Sequence, residues 1–309
     1  MKYELMVLAG GGKWIDALPR SNSISWGSDK DTLAVELSFS SLYDLTEGNT
    51  HVKFRINGKP VFTGVVVKKS KSKLRFNYVC FDYSWYLNSN ETIKQFYKIN
   101  AKKAIEDLCG NAGVKRNCVA IPTLLSKIYK DITLNSVIDD ILEQATLTLG
   151  IKYVKEMIGD TLFIRKLADY KIYPRFLLAI DLVVNSSIEN MKNKILVVGS
   201  DENNNKIIAN ANDPKSIKSY GSFQEILIVD AKDIAKAKNM ATNFLKANNK
   251  IFKDTTLNLI VLEGGEEIRA NRSIEMNLKA MGLSGWYNIK SCSNSLENNQ
   301  FKCALTLEW

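Results

Sequence analysis

The chain has 309 residues, 45% hydrophobic and 24% charged, the balance of an ordinary globular protein with room for two or three cored domains. No apolar run approaches the ~20 residues that cross a bilayer, and residues 1–8 lack the regions of a secretory signal, so a soluble, cytoplasmically made protein is expected. The net charge of +9 is scattered and carries no aromatic-interleaved basic motif, which argues against specific nucleic-acid binding.

In chain order, residues 1–87 read as β-rich. Short alternating runs fall at 4–9, 23–26 and 32–39. A hairpin then turns on Asn57-Gly58, with Val52, Phe54 and Ile56 on one strand and residues 61–67 on the other. Asn-Gly between alternating runs is a strong short-range hairpin signal. A further strand is expected over 74–81, so the segment resembles a small barrel or sandwich.

The period becomes helical over 91–167. Asn100 is placed to cap a helix carrying Ala101, Ala104, Ile105 and Leu108, closed by Gly113; Thr133 is placed to cap a longer one ending at Gly150. Strands are expected at 151–156 and 161–166 around Gly159-Asp160. From 176 the chain returns to β. Two strands are joined by the loop 201–205, and a single helix is expected with Asp230 as its cap and Ile234, Ala237, Met240, Ala241 and Phe244 on its apolar face. In the last strand Phe301, Cys303, Leu305, Leu307 and Trp309 share one side. The expected class is α+β, mainly β: a β-barrel domain over 1–90, an α/β domain over 91–175 and a second β-barrel domain with one helix over 176–309.

The catalytic inventory is poor. His51 is the single histidine, and a strand-edge position favours a surface role over that of a base. Asp139, Asp140 and Glu143 read as the polar face of a helix, and Glu263, Glu266 and Glu267 as a charged hairpin tip, rather than as paired catalytic carboxylates. Gly10-Gly11-Gly12-Lys13 fails as a phosphate-binding loop, because Val7 and Trp14 stand where Gly and Ser or Thr are needed. Cys80, Cys109, Cys118, Cys292 and Cys303 are odd in number and contain no C-x-x-C, as expected of reduced core thiols. No cofactor or metal is implied.

Several stretches carry a resemblance. Ile24-Ser25-Trp26-Gly27-Ser28 followed by residues 33–39, the strand ending at 62–66, and Cys80-Phe81-Asp82-Tyr83-Ser84-Trp85 come first. The stretches 187–193 and 220–225, the helix 235–245 and the ending from Gly285-Trp286-Tyr287 to Leu307-Glu308-Trp309 complete the series. Their order and spacing resemble the baseplate hub proteins of contractile phage tails and phage-tail-like bacteriocins, over essentially the whole chain. Asn294 stands where those proteins commonly carry His, and Ser291-Cys292 breaks alternation in the manner of a bulge.

The resemblance implies two tube-type barrels per chain and a homotrimeric ring that adapts a sixfold tail tube to a threefold central spike, with tube, spike and other baseplate proteins as partners. It implies no catalytic group and no membrane insertion. A tail-associated cell-wall hydrolase and a DNA-binding protein are the alternatives. The basic hairpin with Lys68, Lys69, Lys71, Lys73 and Arg75, and the turn with Glu263, Glu266 and Glu267, are the expected protruding interaction surfaces.

Overall fold

The computed structural model describes residues 1–9, 12–178, 182–201, 204–279 and 282–309. The Gly10-Gly11 turn and the middle of the 201–205 loop therefore lie outside the described residues. The chain is mainly β, and the strands of its two ends join in one 14-stranded sheet. Along its main path the order is Arg175–Leu178, Phe252–Glu263, Gln300–Glu308, Leu283–Glu297, Ser21–Asp29, Thr32–Ser41, Arg75–Asp82, Lys59–Ser72, Thr50–Ile56, Tyr3–Ala9 and Ile15–Asp16.

The seam between the ends is the antiparallel pair Ser21–Asp29 and Leu283–Glu297, in a register that sets Trp26 opposite Asn294. Trp26 is buried there, with its ring centroid 4.9 Å from Phe54 of the N-terminal strands and 4.9 Å from Phe301 of the C-terminal ones. One apolar core thus runs through both halves, from Leu5 and Val52 to Leu305 and Leu307. The expected irregularity near Ser291 is present as a register shift between Ile289 and Ser291 against the last strand. The Asn57-Gly58 turn is also as expected, with both residues at positive φ.

Between the halves, the expected caps form. Asn100 Oδ1 accepts from Lys102 N at 2.9 Å to start α2 (Ala101–Asn111), after a short α1 (Trp85–Ser89). Thr133 Oγ1 accepts from Ser136 N at 3.2 Å to start α3 (Leu134–Leu149), which Gly150 closes in the left-handed region. The helical reading of 91–100 is corrected. Glu91–Asn100 and Leu124–Thr133 are strands of a two-stranded ribbon, which packs Phe96, Leu125 and Tyr129 against α2 and α3. Bulges interrupt the ribbon's register twice, which hides its two-residue period in the sequence.

A second α/β unit sits within the C-terminal half. Lys194–Asp201 pairs with Asn204–Asn212 and, in parallel, with Gln224–Asp230. The crossover holds α4 (Pro214–Tyr220), capped by Asp213, so this region has two helices rather than the expected one. α5 (Ala237–Asn248) covers one face of the sheet, burying Ala237, Met240 and Ala241 on Ile195, Val197 and Val229. Asp230 is the last residue of its strand; a 3-10 turn over Ala231–Lys236 follows it, and α5 starts after Lys236. Asn193 explains two of the quoted stretches: its side chain donates to Gly221 O at 2.7 Å and accepts from Phe223 N at 2.8 Å.

Because Trp26 fills the space between both halves, Trp26→Ala should lower stability by about 4 kcal/mol, the usual cost of emptying a large aromatic site. Chemical denaturation measures this, and a loss under ~1 kcal/mol would show that the seam holds without the indole.

Candidate functional site

The residues weighed as catalytic are tied into the architecture. His51 Nδ1 lies 2.9 Å from the Tyr83 hydroxyl. Asp139 pairs with Lys155, whose ammonium pKa burial pulls down and Asp139 holds up. Asp140 pairs with Lys127 at 2.9 Å, accepts from Gln144 Nε2 at 2.7 Å, and accepts from the Tyr129 hydroxyl. These contacts fasten α3 to the ribbon and to the strand Tyr153–Ile158; Glu143 beside them is exposed. The five cysteines are buried, free thiols. Burial pushes Cys109 up to about 11 and Cys118 up to about 12. Cys292 and Cys303 are out of step, for Cys303 opposes Asn294 and Cys292 opposes Leu305.

The two expected surfaces differ sharply. The basic hairpin is long, formed by Lys59–Ser72 and Arg75–Asp82, and turns on Lys73 and Leu74. Lys69 is drawn to Asp44 and lies over the Phe76 ring. Lys71 shares that ring at 5.6 Å, while Lys68, Lys73 and Arg75 have no ion-pair partner among the described residues. Leu74 at the apex is 85% exposed. The tip therefore presents positive charge around an exposed leucine.

The acidic turn does not protrude as expected. Gly265–Glu267 is a 3-10 turn in which Glu266 is 9% exposed and faces Lys59 Nζ at 3.3 Å; Glu267 pairs with the same lysine at 2.9 Å. Gly265 lies against Phe301 so closely that a Cβ would stand 2.2 Å from the ring. Glu263, paired with Arg175 at 3.2 Å, is the most exposed of the three. Sequence reasoning missed this because the residue that buries the turn, Phe301, lies far along the chain.

It also missed the most buried charges. Arg269 donates to Met157 O at 2.7 Å and to Val61 O, and lies 3.5 Å from Glu156. Arg272 donates to Glu156 Oε1 at 2.6 Å and to Glu267 O at 2.7 Å, with its guanidinium 4.3 Å from the Tyr170 ring centre. Desolvation lowers the Arg269 pKa, with Glu156 acting against it. The cluster bolts together the N-terminal strands, the middle unit and the C-terminal strands. Nearby, fully buried Asp82 accepts from Val35 N at 3.1 Å and Ser84 N at 3.0 Å, which locks the chain where it leaves the first strands. Burial raises its pKa to about 6 despite those hydrogen bonds.

Arg269→Met should cost about 3–5 kcal/mol, because two buried carbonyls lose their donor; urea unfolding at neutral pH measures it, and a neutral result would mean the cluster repacks. Asp82 binds its proton more tightly in the folded chain than in the unfolded one. Its stabilising contribution is therefore full below the ordinary carboxyl pKa and is lost as pH rises to about 6. The stability of wild type minus that of Asp82→Asn should fall by about 2 kcal/mol between pH ~4 and ~7. A difference independent of pH would show that Asp82 titrates normally.

Comparison with known proteins agrees with this architecture. A tail protein from Neisseria meningitidis MC58 superposes with a TM-score of 0.73 at 12% identity, covering 100% of this chain and 97% of its own. The prophage tail protein gp18 from Listeria monocytogenes EGD-e gives 0.70 at 11% identity, covering 99% and 94%. The E. coli c3393 protein, a type VI secretion component described as similar to the T4 tail proteins gp27 and gp5, gives 0.53 at 9% identity, covering 93% and 73%. At such identities the likeness is one of fold, and the fold is that of phage tail proteins. Among curated proteins, none matches the sequence. The model of one family does match, over residues 24–308, and on that match the chain belongs to the YQBQ-like family.

Proposed function

We propose that this chain is a structural hub of a contractile tail, closing as three copies into a ring that mates with a sixfold tube on one face and a threefold spike on the other. The observation that carries the reading is the continuous sheet. Two β halves are joined edge to edge across the Trp26 seam and share one core, so three copies would present six lobes to a sixfold tube. A heterologous contact repeated three times closes such a ring without any catalytic group. The engagement of Asp139 and Asp140 in structural ion pairs supports a non-enzymatic role. The likeness of c3393 to gp27 and gp5 supports a place beside the spike. Among the described residues no helix is long and apolar enough to cross a membrane, which accords with residence in a virion or tail-like particle. The basic hairpin is the surface offered to an acidic neighbour in the baseplate.

Cryo-electron microscopy of tail particles carrying a tagged copy tests the reading. Three copies at the junction of tube and spike are expected, and a peripheral position or absence would overturn it. Within such particles, Lys71→Glu, Lys73→Glu and Arg75→Glu combined should cut the yield of assembled tails about tenfold or more, the effect of losing ~1.4 kcal/mol of contact. Their side chains are exposed, so the purified variant should melt as wild type does. Normal yield would remove the hairpin from the assembly interface.

A further inference from the structure

The outer face of the seam is a groove. The shared core lies on the side of Trp26, Val35 and Leu37. On the other side Ser25, Gly27, Ala34, Ser293 and Ala304, from four adjacent strands, make a floor of small residues. Asn88 of α1 and Asn135 of α3 stand beside it, and the groove so formed holds about 730 Å³. Half-buried Phe81 lines it opposite Glu36 in register, and Asp29 and Asp31 complete a set of three carboxylates. On a chain of net charge +9, no lysine or arginine lines this groove. The lysines around it are already held: Lys30 by Glu308, Lys302 by Glu297 and Lys155 by Asp139. Lys152, in the adjoining cleft, feels Asp31. Asp29, Asp31 and Glu36 have no ion-pair partner among the described residues.

The basic hairpin is the complement of this groove. Lys69 is held by Asp44, with Glu47 acting on it as well, which leaves Lys68, Lys71, Lys73 and Arg75 around the bare Leu74. The pairing of Lys59–Ser72 with Thr50–Ile56 ends at Val65, so from Lys68 outward the hairpin stands free along that edge. A leucine among cations thus matches a phenylalanine among carboxylates. The tip cannot reach the groove of its own chain. Arg75 and Phe81 lie six residues apart on one strand, and an extended strand keeps such residues roughly 20 Å apart.

We propose that the hairpin tip of one copy seats in the seam groove of the next, an inference that rests on the ring reading and names the neighbour to which the hairpin is offered. Charge selects the pairing. Tip on tip sets cation against cation, and groove on groove sets carboxylate against carboxylate. Tip in groove opposes unlike charges and covers Leu74 with Phe81, over a floor whose small side chains leave room for it. The two surfaces differ, so the contact is heterologous, the type that makes a ring when its rotation closes. The tip points along the strands, whereas the groove opens across the face of the sheet. Each contact therefore turns the next copy instead of repeating it in line.

Charge exchange in assembling tails is the test. The groove variant, Asp31→Lys with Glu36→Lys, should cut the yield of tails about tenfold, as the tip variant Lys71→Glu with Lys73→Glu and Arg75→Glu does. All five changes in one chain restore opposite charges and should return the yield to within about twofold of wild type. These side chains are exposed, so each purified variant should melt as wild type does. A groove variant with normal yield overturns the contact. So does a five-fold variant that stays as poor as the other two, for the tip then binds another acidic surface. Position is read by cross-linking: Leu74→Cys and Ser293→Cys together, treated in particles with a short bismaleimide, should give bands of two and three chains and none larger. Either cysteine alone should give none, since the native thiols are buried. No band from the pair overturns the contact and leaves the ring reading intact. A ladder beyond three chains keeps the contact and overturns the ring.

Discussion

The pairing of Ser21–Asp29 with Leu283–Glu297 is the constraint on which the rest of the molecule depends. It joins segments about 270 residues apart in sequence, so the loop-closure entropy is met only if many contacts form together. Trp26 supplies the apolar part by touching Phe54 and Phe301. Polar ties flank it: Lys30 N donates to Lys290 O at 2.8 Å, and Ala270 N donates to Ser28 Oγ at 2.9 Å. Without that seam the chain would be two open sheets with exposed edges, the arrangement most prone to wrong pairing.

Closing the seam also decides where the inserted units go. The middle unit leaves the first strands at Asp82 and rejoins the sheet near Lys171, so both its ends are held. Arg269 and Arg272 then fix its strand Tyr153–Ile158 against the sheet through Glu156 and Met157 O. A buried guanidinium is costly unless each donor finds an acceptor. Two arginines serving carbonyls of three segments act as a geometric key more than as a source of net stability.

What the sequence disclosed was local. Asn100 and Thr133 cap where side-chain chemistry says they should, the Asn57-Gly58 turn forms, and the last strand alternates as written. What it hid was set at long range or masked by irregularity. The ribbon strands lost their period to bulges. The parallel strand Gln224–Asp230 is apolar on both faces and carries no alternation to read. The helix expected from Asp230 begins only after Lys236, because a 3-10 turn comes between strand and helix. Glu266 looked like a solvated tip until Phe301 and Lys59 closed over its turn. The basic hairpin was visible in the sequence as charge, but its bare Leu74 apex and the pairing of Lys69 with Asp44 required coordinates.

The five sealed thiols make the molecule its own unfolding clock. Only a thiolate reacts with an alkylating or oxidising reagent at a useful rate, and burial both shields these sulfurs and, for Cys80, Cys109, Cys118 and Cys303, opposes their ionisation. Cys80 and Cys303 lie in the shared core, on the two sides of the seam, while Cys109 and Cys118 lie in the middle unit. Modification of the first pair therefore reports opening of the sheet, and modification of the second reports opening of the insertion. Each can be followed with no added label, inside an assembled particle as well as in the free chain.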